Sequence, residues 1–278
     1  MKTGQYEISI INAGFLAMDC GAVFGVVPKA LWQRQVQCDE KNRMLMSLNC
    51  LLLESAVRKI LVDTGLGNGL GEKLRKIYNI QDNTSIADSL AEKGLKPEDI
   101  TDVLVTHLHF DHAGGLIDHP TKEPFFRNAR YYTGKQQFQW AQSPSLIDRA
   151  SYKKRNYMPL YESGRLQLLK PGEQPFDNIR LYQTTGHTPG MITLEINDNQ
   201  SPVYYCTDIF PTHFHIPVNY ISAYDLHPLD LLREKQFFLK KIQKNKGILI
   251  FPHDPLLAAA SVANVNNDYQ INKTYKTI

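Results

Sequence analysis

Between Val105 and Gly115 the chain reads VTHLHFDHAGG, which sets His107, His109, Asp111 and His112 between an apolar run and a glycine pair. Only 9 of 278 residues are histidine, so chance would place three of them and an aspartate at these offsets in about one such chain in a few thousand. Three neighbouring imidazoles held only by core hydrogen bonds would also repel one another on protonation. Neutral imidazole and carboxylate are ligands for zinc and other borderline divalent ions, and a catalytic zinc keeps a position open for water. Four ligands on one turn cannot all close on a single ion and leave that position free. Two ions sharing the motif is the more economical arrangement, and it requires ligands from elsewhere. The sequence offers His187 in TTGHTPG, Asp208 in YYCTDIF and His253 in FPHDP, each a polar residue where an apolar run ends.

Those ligands need elements to carry them. In the first half YEISII, MLMSLNCLLLES, KILVDTG and DVLVTH are short apolar runs bounded by turn residues and are expected as strands. The polar stretch from Gly71 to Gly94 is expected to hold a helix that Thr84 or Ser85 caps, with Ile86, Leu90 and Ala91 on it and Gly94 at its end. The second half offers RLQLLK, IRLYQTT, MITLEI and VYYC as strands. A helix follows over Pro228 to Asn245 with Leu229, Leu232, Leu239 and Ile242 facing the core, then GILIF as the last strand. Each half runs from strands to helix, which suggests an α/β protein of two packed sheets with helices on the outer faces. His107, His109 and Asp111 are expected to converge at a strand end, with Gly114 and Gly115 giving the turn that admits His112. Residues 13–37 are too apolar for a solvated loop and are expected to lie near the cleft or a dimer interface. Residues 148–164 are expected as an exposed insertion, and residues 1–278 as one domain.

Composition narrows the function. A net charge of +3 and short basic patches, Lys153 to Arg155 and Lys240 to Lys246, give no footprint for nucleic acid. No apolar stretch approaches the roughly 20 residues of a membrane span, and the start MKTGQYEISI has no signal-peptide core. A cytoplasmic location is expected, with Cys20, Cys38, Cys50 and Cys206 as reduced, mostly buried thiols.

Taken together, HLHFDH, GH, a strand-end Asp, a final His and ILVDTG resemble the metallo-β-lactamase superfamily over nearly the whole chain. The resemblance implies a four-layer αββα sandwich with a two-metal cleft on one edge of the sheets. It would give His107, His109 and His187 to the first metal, Asp111, His112 and His253 to the second, and Asp208 to both. Asp63 would accept from a ligand imidazole and fix its tautomer. His109 stands where the oxygen-reducing diiron branch has Glu, and Cys206 lies two residues too early for the arrangement of zinc β-lactamases. HLHFDHAGG, FGVVPKALW, YDLHP and FPHDP are most similar to the quorum-quenching N-acyl homoserine lactonases, especially their YtnP-like branch. One departure stands out: those lactonases carry a tyrosine three residues after the bridging Asp, and this chain has Pro211.

The expected chemistry is hydrolysis by a hydroxide held between two divalent ions, with zinc the default pair, and with Asp111 and Asp208 as catalytic groups. Two ions about 3.5–4 Å apart can polarise a carbonyl and receive a leaving alkoxide. The expected partner is a small-molecule lactone or ester, with no nucleic acid, no membrane and a homodimer as one use of the apolar segment. Phe24, Phe110, His213, His215 and Tyr220 are the candidate substrate contacts, the last three also as replacements for the missing tyrosine. An organophosphate or phosphodiester hydrolase would use the same ligands. A noncatalytic binding protein is disfavoured because all the candidate ligands are present.

Overall fold

The computed structural model describes residues 1–81, 84–197, 201–266 and 268–278. Its first sheet contains β1 (Lys2–Thr3), β2 (Tyr6–Asp19), β3 (Arg43–Glu54), β4 (Lys59–Val62) and β5 (Asp102–Leu104). A small hairpin of β6 (Ile117–Asp118) and β7 (Glu123–Pro124) intervenes before β8 (Arg130–Gly134) and β9 (Leu166–Leu169) complete that sheet in the order β1-β2-β3-β4-β5-β8-β9. The second sheet runs in sequence order through β10 (Ile179–Thr184), β11 (Met191–Ile196), β12 (Val203–Tyr205), β13 (Ile248–Ile250), β14 (Ala259–Val265) and β15 (Asp268–Tyr275). The parallel pairs, β4 with β5, β5 with β8, β8 with β9 and β12 with β13, align strand ends along one edge.

The central strands are apolar throughout because both of their faces are covered. Alternate residues go to opposite sides. Leu51, Leu53, Ile60 and Val62 meet Leu194, Val203, Tyr205 and Ile250 between the sheets. Cys50, Leu52 and Leu61 face outward onto the helical layer of the first sheet, and Tyr204 and Leu249 face that of the second. The result is the expected αββα layering.

The helices are α1 (Cys20–Phe24), α2 (Lys29–Trp32), α3 (Glu72–Ile77), α4 (Ile86–Ala91), α5 (Phe110–Ala113), α6 (Lys135–Gln142), α7 (Met158–Glu162) and α8 (Pro228–Lys244). Ser85 caps α4 in a reciprocal capping box with Asp88, as its sequence suggests. α3 is a separate helix before it. On α8 the buried residues are Leu231, Lys235, Phe238, Leu239 and Ile242, whereas Leu229 is exposed. The expected phase fails at Leu229 because a lysine occupies the stripe, and an apolar pattern cannot register it.

Four further expectations are corrected. Residues 13–19 are not loop but the second half of β2, paired with β3 beyond an irregularity between Asn12 and Phe15. Cys20 and Cys38 are not reduced thiols but form a disulfide, while Cys50 and Cys206 are free and buried. The segment 148–164 is no exposed insertion, since Asp148, Tyr152, Asn156, Tyr157 and Leu160 are buried. Nor is GILIF the last strand: β14 and β15 follow as a hairpin, missed because β15 is a mostly exposed edge strand with few apolar residues. No helix among the described residues is long and apolar enough to cross a membrane.

Candidate metal centre

β5 ends at Leu104, so His107 and His109 stand on irregular chain beyond it, not on the strand itself. His109 is the N-terminal flanking residue of the one-turn helix α5, which carries Asp111 and His112. The glycines after it have a different role from the expected turn. Gly114 has an ordinary helical φ of −67°, but a Cβ there would meet Leu66 O at 2.1 Å, and one at Gly115 would meet Thr64 O at 2.3 Å. The loop from Asp63 to Gly67 thus lies backbone to backbone against the metal-bearing turn. Thr64 N and Oγ1 donate to His112 O at 2.8 and 2.9 Å, and Gly114 N donates to Gly65 O at 2.8 Å.

The other candidates arrive from the second sheet. His187 sits between β10 and β11, Asp208 follows β12 in a single 3-10 turn, and His253 follows β13. The seven side chains meet. Asp208 Oδ2 lies 3.3 Å from His187 Nε2 and 3.7 Å from His107 Nε2, while its Oδ1 lies 3.1 Å from His253 Nε2 and 3.4 Å from His112 Nε2. Asp111 Oδ2 is 3.8 Å from His112 Nε2 and 3.9 Å from His253 Nε2. His109 Nδ1 faces His187 Nε2 at 3.2 Å. Three groups have ligand atoms close enough to hold an ion: His107, His109 and His187; His107, His112 and Asp208; and Asp111, His112 and His253.

Tautomers follow from the outward partners. His112 Nδ1 donates to Asp63 at 3.0 Å, His187 Nδ1 to Asp225 at 2.8 Å and His253 Nδ1 to Ser47 O at 3.0 Å. Thr106 Oγ1 spends its proton on Asp63, so at 3.1 Å it accepts from His107 Nδ1. In the neutral rings each Nε2 therefore turns a lone pair inward. In that neutral state the inward nitrogens of His112 and His253, 3.1 Å apart, have no proton to share, and His107 Nε2 has no hydrogen-bond partner among the described residues. Buried lone pairs facing one another repel unless a cation lies among them. The donor set and its geometry fit two divalent ions.

Charge balance agrees. Burial, with the neighbouring imidazoles, pushes His107 and His109 well below the usual histidine range, so both remain neutral donors. Burial opposes charge at His112 too, but Asp208, Asp63 and Asp111 outweigh it and move that ring well up. Burial also resists ionisation of Asp208, yet the surrounding imidazoles hold it well below the usual carboxylate range. The carboxylates call for positive charge at the centre of the cluster.

Asp63 adopts a left-handed φ of 64° and takes hydrogen bonds from Thr106 N, Thr106 Oγ1, His112 Nδ1 and Tyr205 OH. Asp225, which the sequence reading did not single out, does for His187 what Asp63 does for His112. It lies in YDLHP, a segment that carries part of the family resemblance but in which no site residue was expected.

Of the candidate substrate contacts only Phe110 lines the cleft. Phe24 is fully buried, stacked on Trp32 and on His215 with ring centroids 5.3 Å away in each case. Tyr220 packs edge-on against Phe24. His215 is buried between Thr212 Oγ1 and Val23 O, and burial pushes it down to about 3, so it stays neutral. His213 is tied to Asp254. The cleft wall is instead Met18, Val23, Met46, Tyr78, Ile147, Pro211 and Tyr224, with His109, Asp111, His187, Asp208 and His253 as its floor. Tyr152 packs behind His109, its ring edge-on to the imidazole at 4.8 Å and its hydroxyl 2.7 Å from Thr188 Oγ1.

With fold and site in view, comparison with known proteins gives the class. The sequence profile described as the metallo-beta-lactamase superfamily matches residues 45–253. The chain belongs to that superfamily, and it is a metal-dependent hydrolase. A structure from Staphylococcus aureus, described as a probable metal-dependent hydrolase, is 31% identical, covers 99% of each chain and superposes with a TM-score of 0.88. An N-acyl homoserine lactonase of a Bacillus species is 28% identical over 227 residues, 74% of this chain and 80% of its own length. The dizinc quorum-quenching lactonase AidC, solved in complex with a product, shares the fold with a TM-score of 0.80 at 18% identity, over 98% of this chain and 95% of its own.

Proposed function

We propose that this protein is a dinuclear hydrolase that opens lactones or esters, with N-acyl homoserine lactones as its substrate class and residues 1–278 acting as one domain. The observation that carries this reading is the set of inward lone pairs divided by Asp208, one carboxylate oxygen toward each histidine group. His107, His109 and His187 would hold one ion, Asp111, His112 and His253 the other, with zinc suited to this His/Asp set. Bound there, the ions would lower the pKa of water and polarise the substrate carbonyl.

The chain's own groups do the rest. Asp111 stands at the solvent side of the cluster, with 14% of its side chain exposed against 2% for His112. It is placed to take the proton of the attacking water and return it to the ring oxygen as the C–O bond breaks. Asp63 and Asp225 fix the rings they touch. Met18, Val23, Met46, Phe110 and Ile147 give apolar wall for an acyl chain, and the lactonase relatives favour that use. Pro211 lines the cleft where those lactonases have a tyrosine, so no hydroxyl reaches the substrate from that position.

Metal quantification coupled to pH-monitored hydrolysis tests the proposal, using N-acyl homoserine lactones, aryl esters, a phosphotriester and a β-lactam before and after chelation. Lactone turnover that disappears with about two metal equivalents and returns on reloading is expected. Turnover indifferent to chelation would sink the reading, and a phosphotriester preferred over every lactone would replace it with the phosphoester one.

A further inference from the structure

α8 touches both loops that form one side of the cleft, and it does so through two adjacent residues of opposite charge. Glu234 Oε1 accepts from Thr185 N at 2.7 Å and Oε2 from Gly186 N at 3.1 Å, immediately before His187. Lys235 Nζ donates to Pro217 O at 2.8 Å and Tyr220 O at 2.6 Å, with the Phe210 ring 5.5 Å away. Adjacent helical residues point in different directions, so each side chain reaches its own loop. The two loops are then joined to each other. Ser222 N donates to Asp225 Oδ2 at 2.6 Å, Asp225 Oδ1 accepts from His187 Nδ1, and Leu226 N donates to His187 O at 3.1 Å. Tyr224 N is held by Ser222 Oγ at 3.0 Å, which hangs the Tyr224 ring on the cleft wall.

The cost of this arrangement is informative. Lys235 is 0% exposed and forms no ion pair among the described residues, and burying a charge in that way is expensive. A methionine would fill similar space without the cost. Packing alone does not call for a lysine here; what does is capturing Tyr220 O, which no backbone amide among the described residues reaches, together with Pro217 O, which also accepts from Tyr220 N at 3.0 Å.

We propose that Glu234 and Lys235 are positioning residues with separate duties, Glu234 setting the His187 loop for metal binding and Lys235 setting the Pro217–Tyr224 wall for substrate binding. The first duty rests on His187 being a ligand, as under the proposed function. α8 is then the element that fixes floor and wall relative to each other.

The test compares Glu234→Gln, Lys235→Met and Lys235→Arg in the full chain, reading Zn2+ retention in a chelator titration, kcat and KM for an N-acyl homoserine lactone at saturating Zn2+, and Tm. Glu234→Gln should weaken Zn2+ retention about tenfold, the low end for residues that orient a ligand, with KM at saturating Zn2+ unchanged. Lys235→Met should raise KM about tenfold with Zn2+ retention and kcat within twofold of the parent, and Lys235→Arg should recover most of the KM. If Lys235→Met does not fold, Lys235→Gln, whose shorter, uncharged amide replaces the ammonium, carries the same KM reading. Variants that lower Tm alone, or that move the same parameter by the same factor, overturn the proposal. His187→Ala with undiminished Zn2+ would sink the ligand assignment but not the Lys235 arm. A parent protein without lactone turnover would sink the proposed substrate, leaving the Zn2+ arm to decide between the two residues.

Discussion

The floor and the wall of the cleft are built on different physics. In and beneath the floor, His107, His112, His187 and His253 are each held by one directional hydrogen bond to a buried acceptor, and those acceptors come from β3, from the loops after β4 and β5 and from the loop before α8. The wall near Val23 is held by packing: Phe24 lies between Trp32 and His215, and the disulfide closes the segment from Cys20 to Cys38 around it. Damage to a directional contact should misplace one lone pair and leave the fold intact. Damage to packing should cost stability first and function only through the wall.

The largest effect should come from Asp208→Ala, which removes the carboxylate common to both histidine groups; turnover should fall to the buffer rate, with metal content down by mass spectrometry. Asp111→Asn should abolish most turnover while losing less metal, and full turnover with full metal would end the proton-shuttle reading. Next, Asp63→Asn tolerates the left-handed backbone but loses one acceptor oxygen, so metal affinity or activity should drop about 10- to 100-fold with Tm little changed. Phe24→Ala reverses that pattern. Emptying a stacked core position should cost about 3–5 kcal/mol, read by denaturant titration, and raise KM more than it lowers kcat. Cys20→Ser should cost about 3 kcal/mol, the amount suggested by closing a loop of this length. A floor variant that unfolds the protein, or a wall variant that strips its metal, would break the distinction.

The smallest effect concerns Lys235, whose burial pushes its ammonium from 10.5 down to about 7. Between those values the unfolded chain binds a proton that the folded chain does not, so this residue makes stability rise with pH across that window. Below about pH 7 the cost of the buried charge is present in full. The Tm of the parent should therefore rise relative to that of Lys235→Met from pH 7 to pH 10, and a constant difference would contradict the shifted lysine.

The floor was legible in the sequence, and the wall only in part, through Phe110 and through Met18 and Val23 of the apolar 13–37 segment. His107, His109, Asp111, His112, His187, Asp208 and His253 announce themselves because polar residues at the ends of apolar runs are conspicuous. Asp225 and Glu234 escape because an aspartate before a helix and a glutamate on one are commonplace, and their roles exist only after loops distant in sequence meet. Phe24, His215 and Tyr220 mislead for the opposite reason. Aromatic rings near a cleft look like substrate contacts, yet here they pack on one another and leave Tyr78 and Tyr224 at the surface they support. Most of the two sheets could be read from apolar runs; β8, β14 and β15 were not, β15 because its exposed edge leaves too little hydrophobic pattern.

The close approach of Gly114 and Gly115 to the Asp63–Gly67 loop has a practical meaning for anyone mapping this protein by saturation mutagenesis. Every side chain tried at those positions must push backbone against backbone, dragging His112 and Asp63 apart together. These glycines will score as indispensable as the ligands themselves, although they contribute no side-chain ligand atom. A fitness map alone would therefore draw the active site too large on the side away from the substrate.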